Sequence, residues 1–252
     1  MAFVGQSRPL TSDGIAAAAG SVQAGVQEIW TVLSVETSGC GFLADRRPEV
    51  LYERHIFHTL TGGRFDDGNL SDPTPGGYGR GGSHQYERLT AAMGLDREAA
   101  LKSASWGLGQ VLGKNFAVAG FASIDEMVQA MTDSEDAQLS AVSAFILQNR
   151  LDRALKTHDW TSFARGYNGP AFATNHYDVR LRGEFEKFST GVLPNLDVRA
   201  AQLYLTFRGF HPGPIDGFVG SLTRSAIREF QKDNGLIQTG LVDDELLAKL
   251  IV

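Results

Sequence analysis

One apolar stripe constrains this chain more than any other feature. Val22, Val26, Ile29, Trp30 and Leu33 recur at helical spacing, and the stripe stops at Glu36, where "TSGCGF" follows. Side chains three and four apart share a helix face, so the spacing predicts a helix over 22–36 that buries this stripe. Its last turn then carries a carboxylate beside small residues and two glycines. Apolar walls from Trp30 or Leu33 and a cap from "TSG" would desolvate Glu36 and raise its pKa above the ordinary ~4.3. The other reading is an exposed acid at the negative end of the helix dipole. On this residue alone the two are balanced.

Helical patterning continues through most of the first 190 residues. "HQYERLTAAMGL" and "DREAALKSA" are helical, and "SIDEMVQAM" carries a capping box from Ser123 to Glu126. The spacing predicts one long helix over 135–158 as a central strut and a final helix over 174–189. Two segments interrupt the pattern. "FLADRRPEVLYE" (42–53) places β-formers on both sides of a turn at Asp45–Pro48 and predicts a short hairpin. Residues 62–82 read as loop, with five glycines in "GGYGRGG". That stretch lacks the Lys-Ser/Thr of a phosphate loop and reads as a mobile rim. "STGVLPNLD" (189–197) is a Gly/Pro linker, and three short helices are predicted after it, at 197–208, 221–233 and 243–250. The fold class is mainly α: an α+β domain with a short hairpin over 1–190, a linker over 191–196 and a three-helix domain over 197–252.

Composition removes several classes of function. Of 252 residues, 42% are hydrophobic and 10% aromatic, which is globular rather than disordered. Net charge is −6, with no basic run and no Arg/aromatic stripe, which argues against nucleic acid. No apolar stretch approaches the ~20 residues that cross a membrane, and "MAFVGQSRPLTSDG" lacks the layout of a secretory signal. The single cysteine, Cys40, allows no internal disulfide and suits a reducing cytoplasm. It reads as a small buried residue rather than a nucleophile. His55 and His58 lack a third ligand, so no metal site and no cofactor are expected.

Three motifs give Glu36 a context. "SASWGLGQV" (103–111) has the Ser…Gly-Leu-x-Gln form of lysozyme-like clefts, marking Ser105, Trp106 and Gln110 as substrate-binding candidates, with Trp106 either stacking on sugar or filling the core. "RGYNGP" (165–170) resembles the Tyr-Asn-Gly motif of the same clefts, where Tyr167 would stack and Asn168 would hydrogen-bond. "VETSGCGFL…RPEVLYERHIFHTLTGGRF", "PGGYG" and "NHYDVRL" resemble the N-acetylmuramidase family of phage endolysins, over about residues 10–190. Residues 194–252, with "IDG" at 215–217 and "FQ" at 230–231, resemble the three-helix peptidoglycan-binding domain.

These resemblances imply a peptidoglycan hydrolase that cuts the β-1,4 bond between N-acetylmuramic acid and N-acetylglucosamine, with Glu36 as the acid. The favoured second carboxylate is Glu53, which would return beside Glu36 on the second hairpin strand; Asp45, at the hairpin tip, is the alternative. The competing readings are a lytic transglycosylase using Glu36 alone and a non-catalytic wall-binding protein. The expected partner is bacterial peptidoglycan, with no membrane and no nucleic acid, and the chain is expected to be a monomer. It would be made in the cytoplasm and reach the wall with help from a separate membrane-permeabilising protein.

Overall fold

The computed structural model describes residues 3–37 and 40–251. Ser38 and Gly39, read above as part of the cap beyond Glu36, lie outside the described residues. Among the described residues the protein is mainly helical, with one small three-stranded sheet. No helix is long and apolar enough to cross a membrane.

The stripe that reads as one helix belongs to two. α1 (Ser12–Val22) ends where Gln23 turns left-handed at φ 54°, and α2 (Val26–Thr37) starts afresh. Val22 therefore enters the core from α1 while Ile29, Trp30 and Leu33 enter it from α2. Apolar spacing ran through the break because both helices face the same core. Thr11 caps α1, its hydroxyl accepting from Gly14 N at 3.0 Å.

The expected hairpin is only partly present. Between Gly41 and Glu49 the chain folds back tightly, with a single antiparallel bridge from Phe42 to Pro48 and Glu49 N donating to Gly41 O at 2.8 Å. The strand that follows, β1 (Val50–Tyr52), pairs elsewhere: antiparallel to β2 (Ala104–Trp106), with Leu51 opposite Ser105. β2 in turn pairs with β3 (Val111–Leu112), which sets Ser105 opposite Leu112. A partner some fifty residues distant leaves no local signal, so a segment that can turn back looks like a complete hairpin. The period of two still holds along β1. Val50 and Tyr52 are buried, and the opposite face carries Leu51.

α3 (Arg54–Thr61) leads into the long loop, then α4 (His84–Leu95) and α5 (Arg97–Lys102) follow, joined by Asp96, which caps α5 through Ala99 N. α6 (Ile124–Asp133) has the expected cap, with Glu126 N donating to Ser123 Oγ at 3.1 Å; the Glu126 carboxylate reaches back to Ala122 N. The predicted strut breaks in two. α7 (Glu135–Gln148) closes at Arg150, whose φ is 56°, and α8 (Asp152–Lys156) resumes beyond it. Leu151 N donates to Ile146 O at 2.9 Å and the Leu151 side chain is buried, so a stop in the chain is held by an apolar contact rather than by glycine. α9 (Trp160–Asn168) is capped by Asp159. A short 3₁₀ segment over Pro170–Asn175 delays α10 (Tyr177–Thr190), which packs along α2. The last three helices are α11 (Leu196–Phe207), α12 (Ser221–Asp233) and α13 (Asp244–Ile251).

Buried apolar side chains form two clusters. One runs from Phe3 to Phe188; the other joins Ala201, Leu205, Ala226, Ile227, Phe230, Leu246 and Leu250. Inside the first, Gln138 on α7 holds three segments together. Its Oε1 accepts from Leu108 N at 2.7 Å, and its Nε2 donates to Met131 O at 2.8 Å and Gly41 O at 3.4 Å. Gly41 has no room for a Cβ, which would overlap this same amide. Gln138→Ala leaves buried backbone groups unpartnered and is expected to lower stability by about 2–3 kcal/mol in denaturant unfolding.

Candidate functional site

A cavity of about 600 Å³ opens where α2, β1, β2, β3 and α9 meet. Glu36 lines it from the last turn of α2; Leu51 and Glu53 come from β1 and its end, and Ser105 and Gln110 from β2 and the turn after it. Tyr167 and Asn168 close one side from the end of α9, and Tyr78 and Tyr177 complete the rim. Trp30 and Leu33, expected as the walls of Glu36, line a different cavity beside α10 and α11.

Asn168 Nδ2 donates to Glu36 Oε1 at 3.0 Å, and Arg180 Nη2 donates to Val35 O at 2.7 Å at the end of the same helix. Burial pushes the Glu36 carboxyl up to about 7, while the Asn168 hydrogen bond and the Arg180 charge restrain the rise. Such a carboxyl carries its proton at near-neutral pH and has it available for donation.

Glu53 sits where β1 ends and α3 begins, with its backbone N–H donating to Ser103 O at 2.9 Å. Burial raises its pKa as well, opposed by His55, by a hydrogen bond from Ser105 Oγ at 3.3 Å and by Lys114. His55 Nε2 lies 3.7 Å from Glu53 Oε2. Burial dominates at both carboxyls, restrained by Asn168 and Arg180 at Glu36 and by His55, Ser105 and Lys114 at Glu53.

Gln110 takes a left-handed backbone, φ 49°, at the turn between β2 and β3, and its amide donates to Gly107 O at 3.0 Å. Tyr167 donates to Gly109 O at 2.9 Å. A side chain at Gly109 would run into Val142, so this turn is pressed against α7. The Tyr167 ring stacks on Phe163 and meets the edge of Phe145, at centroid distances of 5.5 and 5.4 Å. The half-buried ring is thus supported by two aromatic neighbours where it lines the cavity.

Two candidates fall outside the cavity. Trp106 has no exposed surface; its Nε1 donates to Leu101 O at 3.1 Å and its ring packs 5.6 Å from Phe3. It belongs to the core because β2 alternates, turning Ser105 toward the cavity and its neighbour inward. Asp45 lies at the tip of the loop and is paired with Arg47, whose Nε and Nη2 donate at 2.8 and 2.5 Å. Those bonds outweigh desolvation and hold its carboxyl below the usual range. The Arg47 guanidinium is in turn 4.1 Å from the Tyr86 ring centroid, so the pair is anchored away from Glu36.

The accessible rings of the site are Tyr78 and Tyr177, which the motif reading did not single out. Both stood in stretches noted for their resemblance, "PGGYG" and "NHYDVRL". Part of the loop that carries Tyr78 is held by side chains of α4: Gln85 Nε2 donates to Tyr78 O and Arg80 O at 2.6 Å each, and Arg88 Nη1 donates to Tyr78 O at 2.8 Å. Burial and the nearby Glu53 carboxylate push the Tyr78 hydroxyl up; burial and Glu36 do the same to Tyr177. Tyr78 thus lies near Glu53, and Tyr177, like Tyr167, lies near Glu36.

The model of the N-acetylmuramidase family matches residues 25–189. The chain belongs to the N-acetylmuramidase family. The peptidoglycan binding domain matches residues 194–250, so the muramidase carries its wall-binding unit at the C-terminal side. The crystal structure of Burkholderia AP3 phage endolysin superposes with a TM-score of 0.66 at 36% identity, over 72% of this chain and 71% of that one. No curated protein matches the chain. Together the family and the binding domain make this muramidase a peptidoglycan hydrolase.

The raised pKa of Glu36 has a consequence for stability. A carboxyl whose folded pKa is about 7 against 4.5 resists ionisation, so the fold loses stability as pH climbs from about 4.5 and levels off above about 7. Glu36→Gln removes that penalty. The variant is expected to match the parent near pH 4 and to exceed it by on the order of 3 kcal/mol near pH 8, measured by denaturant unfolding at the two pH values.

Proposed function

We propose that this muramidase hydrolyses the β-1,4 bond between N-acetylmuramic acid and N-acetylglucosamine, with Glu36 as general acid and Glu53 as its partner. The observation that carries the reading is the pairing of two desolvated carboxyls on one cavity, Glu36 held by Asn168 and Glu53 attended by His55, Ser105 and Lys114. Glu36 gives its proton to the glycosidic oxygen as the bond from that oxygen to the anomeric carbon breaks. In its carboxylate form Glu53 supports the oxocarbenium-like charge or takes a proton from the water that adds to the anomeric carbon. Tyr78 and Tyr177 hold the sugar rings across the cleft, Gln110 and Asn168 supply amides, and Ser105 steadies Glu53. The product then ends in a free reducing sugar.

No metal has a part in this scheme. In support, no three His, Cys, Asp or Glu side chains cluster as a ligand set would among the described residues. Chelation with EDTA is expected to leave turnover unchanged. The protein acts as a monomer on the wall, reached through a membrane opened by a separate protein.

Glu36→Gln is expected to cut lytic turnover by at least ~10²-fold while the fold and sacculus binding persist. A folded variant with near-normal turnover would overturn the assignment. Glu53→Gln is expected to cost far more activity than Asp45→Asn at equal stability. Mass spectrometry of fragments from purified peptidoglycan separates the chemistries: reducing N-acetylmuramic acid ends fit hydrolysis, whereas anhydro ends would mean an intramolecular attack that uses Glu36 alone.

A further inference from the structure

We infer that the peptidoglycan-binding module is also a fixed buttress of the catalytic cleft, with Arg199 as a positioning residue for the chain segment that follows Glu36. The inference rests on the proposed role of Glu36 only for its pH readout.

Arg199 lies on α11, inside the binding module, yet its guanidinium is buried against Glu135 at the start of α7; the side chains are 1% and 0% exposed. Arg199 Nη2 donates to Glu135 Oε1 at 2.7 Å and Nη1 donates to Oε2. The same two oxygens accept from the backbone: Oε1 from Gly41 N at 2.8 Å and Oε2 from Leu10 N at 2.9 Å. One carboxylate thus joins the N-terminal segment, the segment after Glu36 and the binding module. Burial alone would depress the guanidinium, but the charge and hydrogen bonds of Glu135 push its pKa up instead.

The tie reaches the cleft by a short route. One turn along α7, Gln138 holds Gly41 O and Leu108 N, and the next residue, Gly109, receives the Tyr167 hydroxyl. A second contact runs in parallel. The Phe207 ring of α11 meets Phe42 edge-on at 6.4 Å, and the Arg46 guanidinium lies 5.4 Å from the Phe207 ring centroid.

The linker is packed against both domains. Leu193 and Leu196 pack against the catalytic core, and Asn195 N donates to Gly217 O at 3.1 Å. Gly217, at φ 79°, lies so close to Pro194 and Asn195 that a Cβ there would overlap them. Tethering by a flexible linker raises local concentration without fixing orientation. A docked module fixes both, and its arginine neutralises a buried carboxylate that would otherwise draw in water and displace Gly41.

The test uses the full chain and two substrates: short, soluble, uncrosslinked glycan strands, whose cleavage needs no anchoring, and purified sacculi for co-sedimentation. Arg199→Met is expected to lower kcat on the soluble strands by about tenfold or more, with KM and sacculus binding held within about twofold, because positioning and not affinity is lost. The alkaline limb of its activity profile should move to lower pH by about half a unit or more as Glu36 gains solvent. Phe207→Ala, a milder change on a half-buried ring, should reduce kcat and shift the limb in the same direction; it decides the matter if Arg199→Met fails to fold. Unchanged kcat and an unchanged limb in the folded variants would show that the module only anchors. Failure of the Glu36 assignment is read separately, from an active Glu36→Gln enzyme, while the kcat comparison stands without it.

Discussion

The first turn of α7 organises this muramidase. Glu135 and Gln138 lie three residues apart on one helix face, and both are buried. Between them they bind backbone groups of Leu10, Gly41, Leu108 and Met131, and Glu135 adds the Arg199 guanidinium. Segments that are irregular, and so cannot satisfy their own polar groups, are satisfied by two side chains projecting from a regular element. The acid at the first position of the helix also meets the positive end of its dipole. Through Gly41 and Leu108 this turn holds the segment after Glu36 and the one before Gln110.

The cleft uses the same economy of parts. β2 is three residues long, yet its alternation sends Ser105 to Glu53 and Trp106 into the core, where the indole N–H closes on Leu101 O. Two carboxyls of similar intrinsic acidity stand in different surroundings on one cavity. Glu36 has an amide, an arginine charge and two nearby phenols, whereas Glu53 has a histidine, a hydroxyl and a lysine. The Gly-rich loop brings Tyr78 to the rim with its carbonyl bonded to two side chains of α4.

The inferred buttress would alter how attachment to the wall serves catalysis. Linker leucines pack on the catalytic core, and Glu135 joins Gly41 to Arg199 of the binding module. A module held in this way would present the cleft to an insoluble, ordered substrate in few orientations.

The sequence by itself determined the helical class, most helix positions and part of the cavity lining, namely Glu36, Glu53, Ser105, Gln110, Tyr167 and Asn168. These rest on local periodicity and on short motifs whose spacing survives in a linear reading: "YNG" gave Tyr167 and Asn168, and "ETSG" gave Glu36. Only the tertiary structure decided the pairing of β1 with β2, the burial of Trp106, the removal of Asp45 to the Arg47 pair and the assembly of Tyr78 and Tyr177 on one rim. Asp45 is taken by Arg47 only two residues on, whereas the strand pairing and the tyrosine rim depend on partners distant in sequence, of which chain connectivity carries no record. The same holds for Arg199 and Glu135, 64 residues apart. In the sequence they are two ordinary charges on two helices; burial around both is what turns them into a joint between domains.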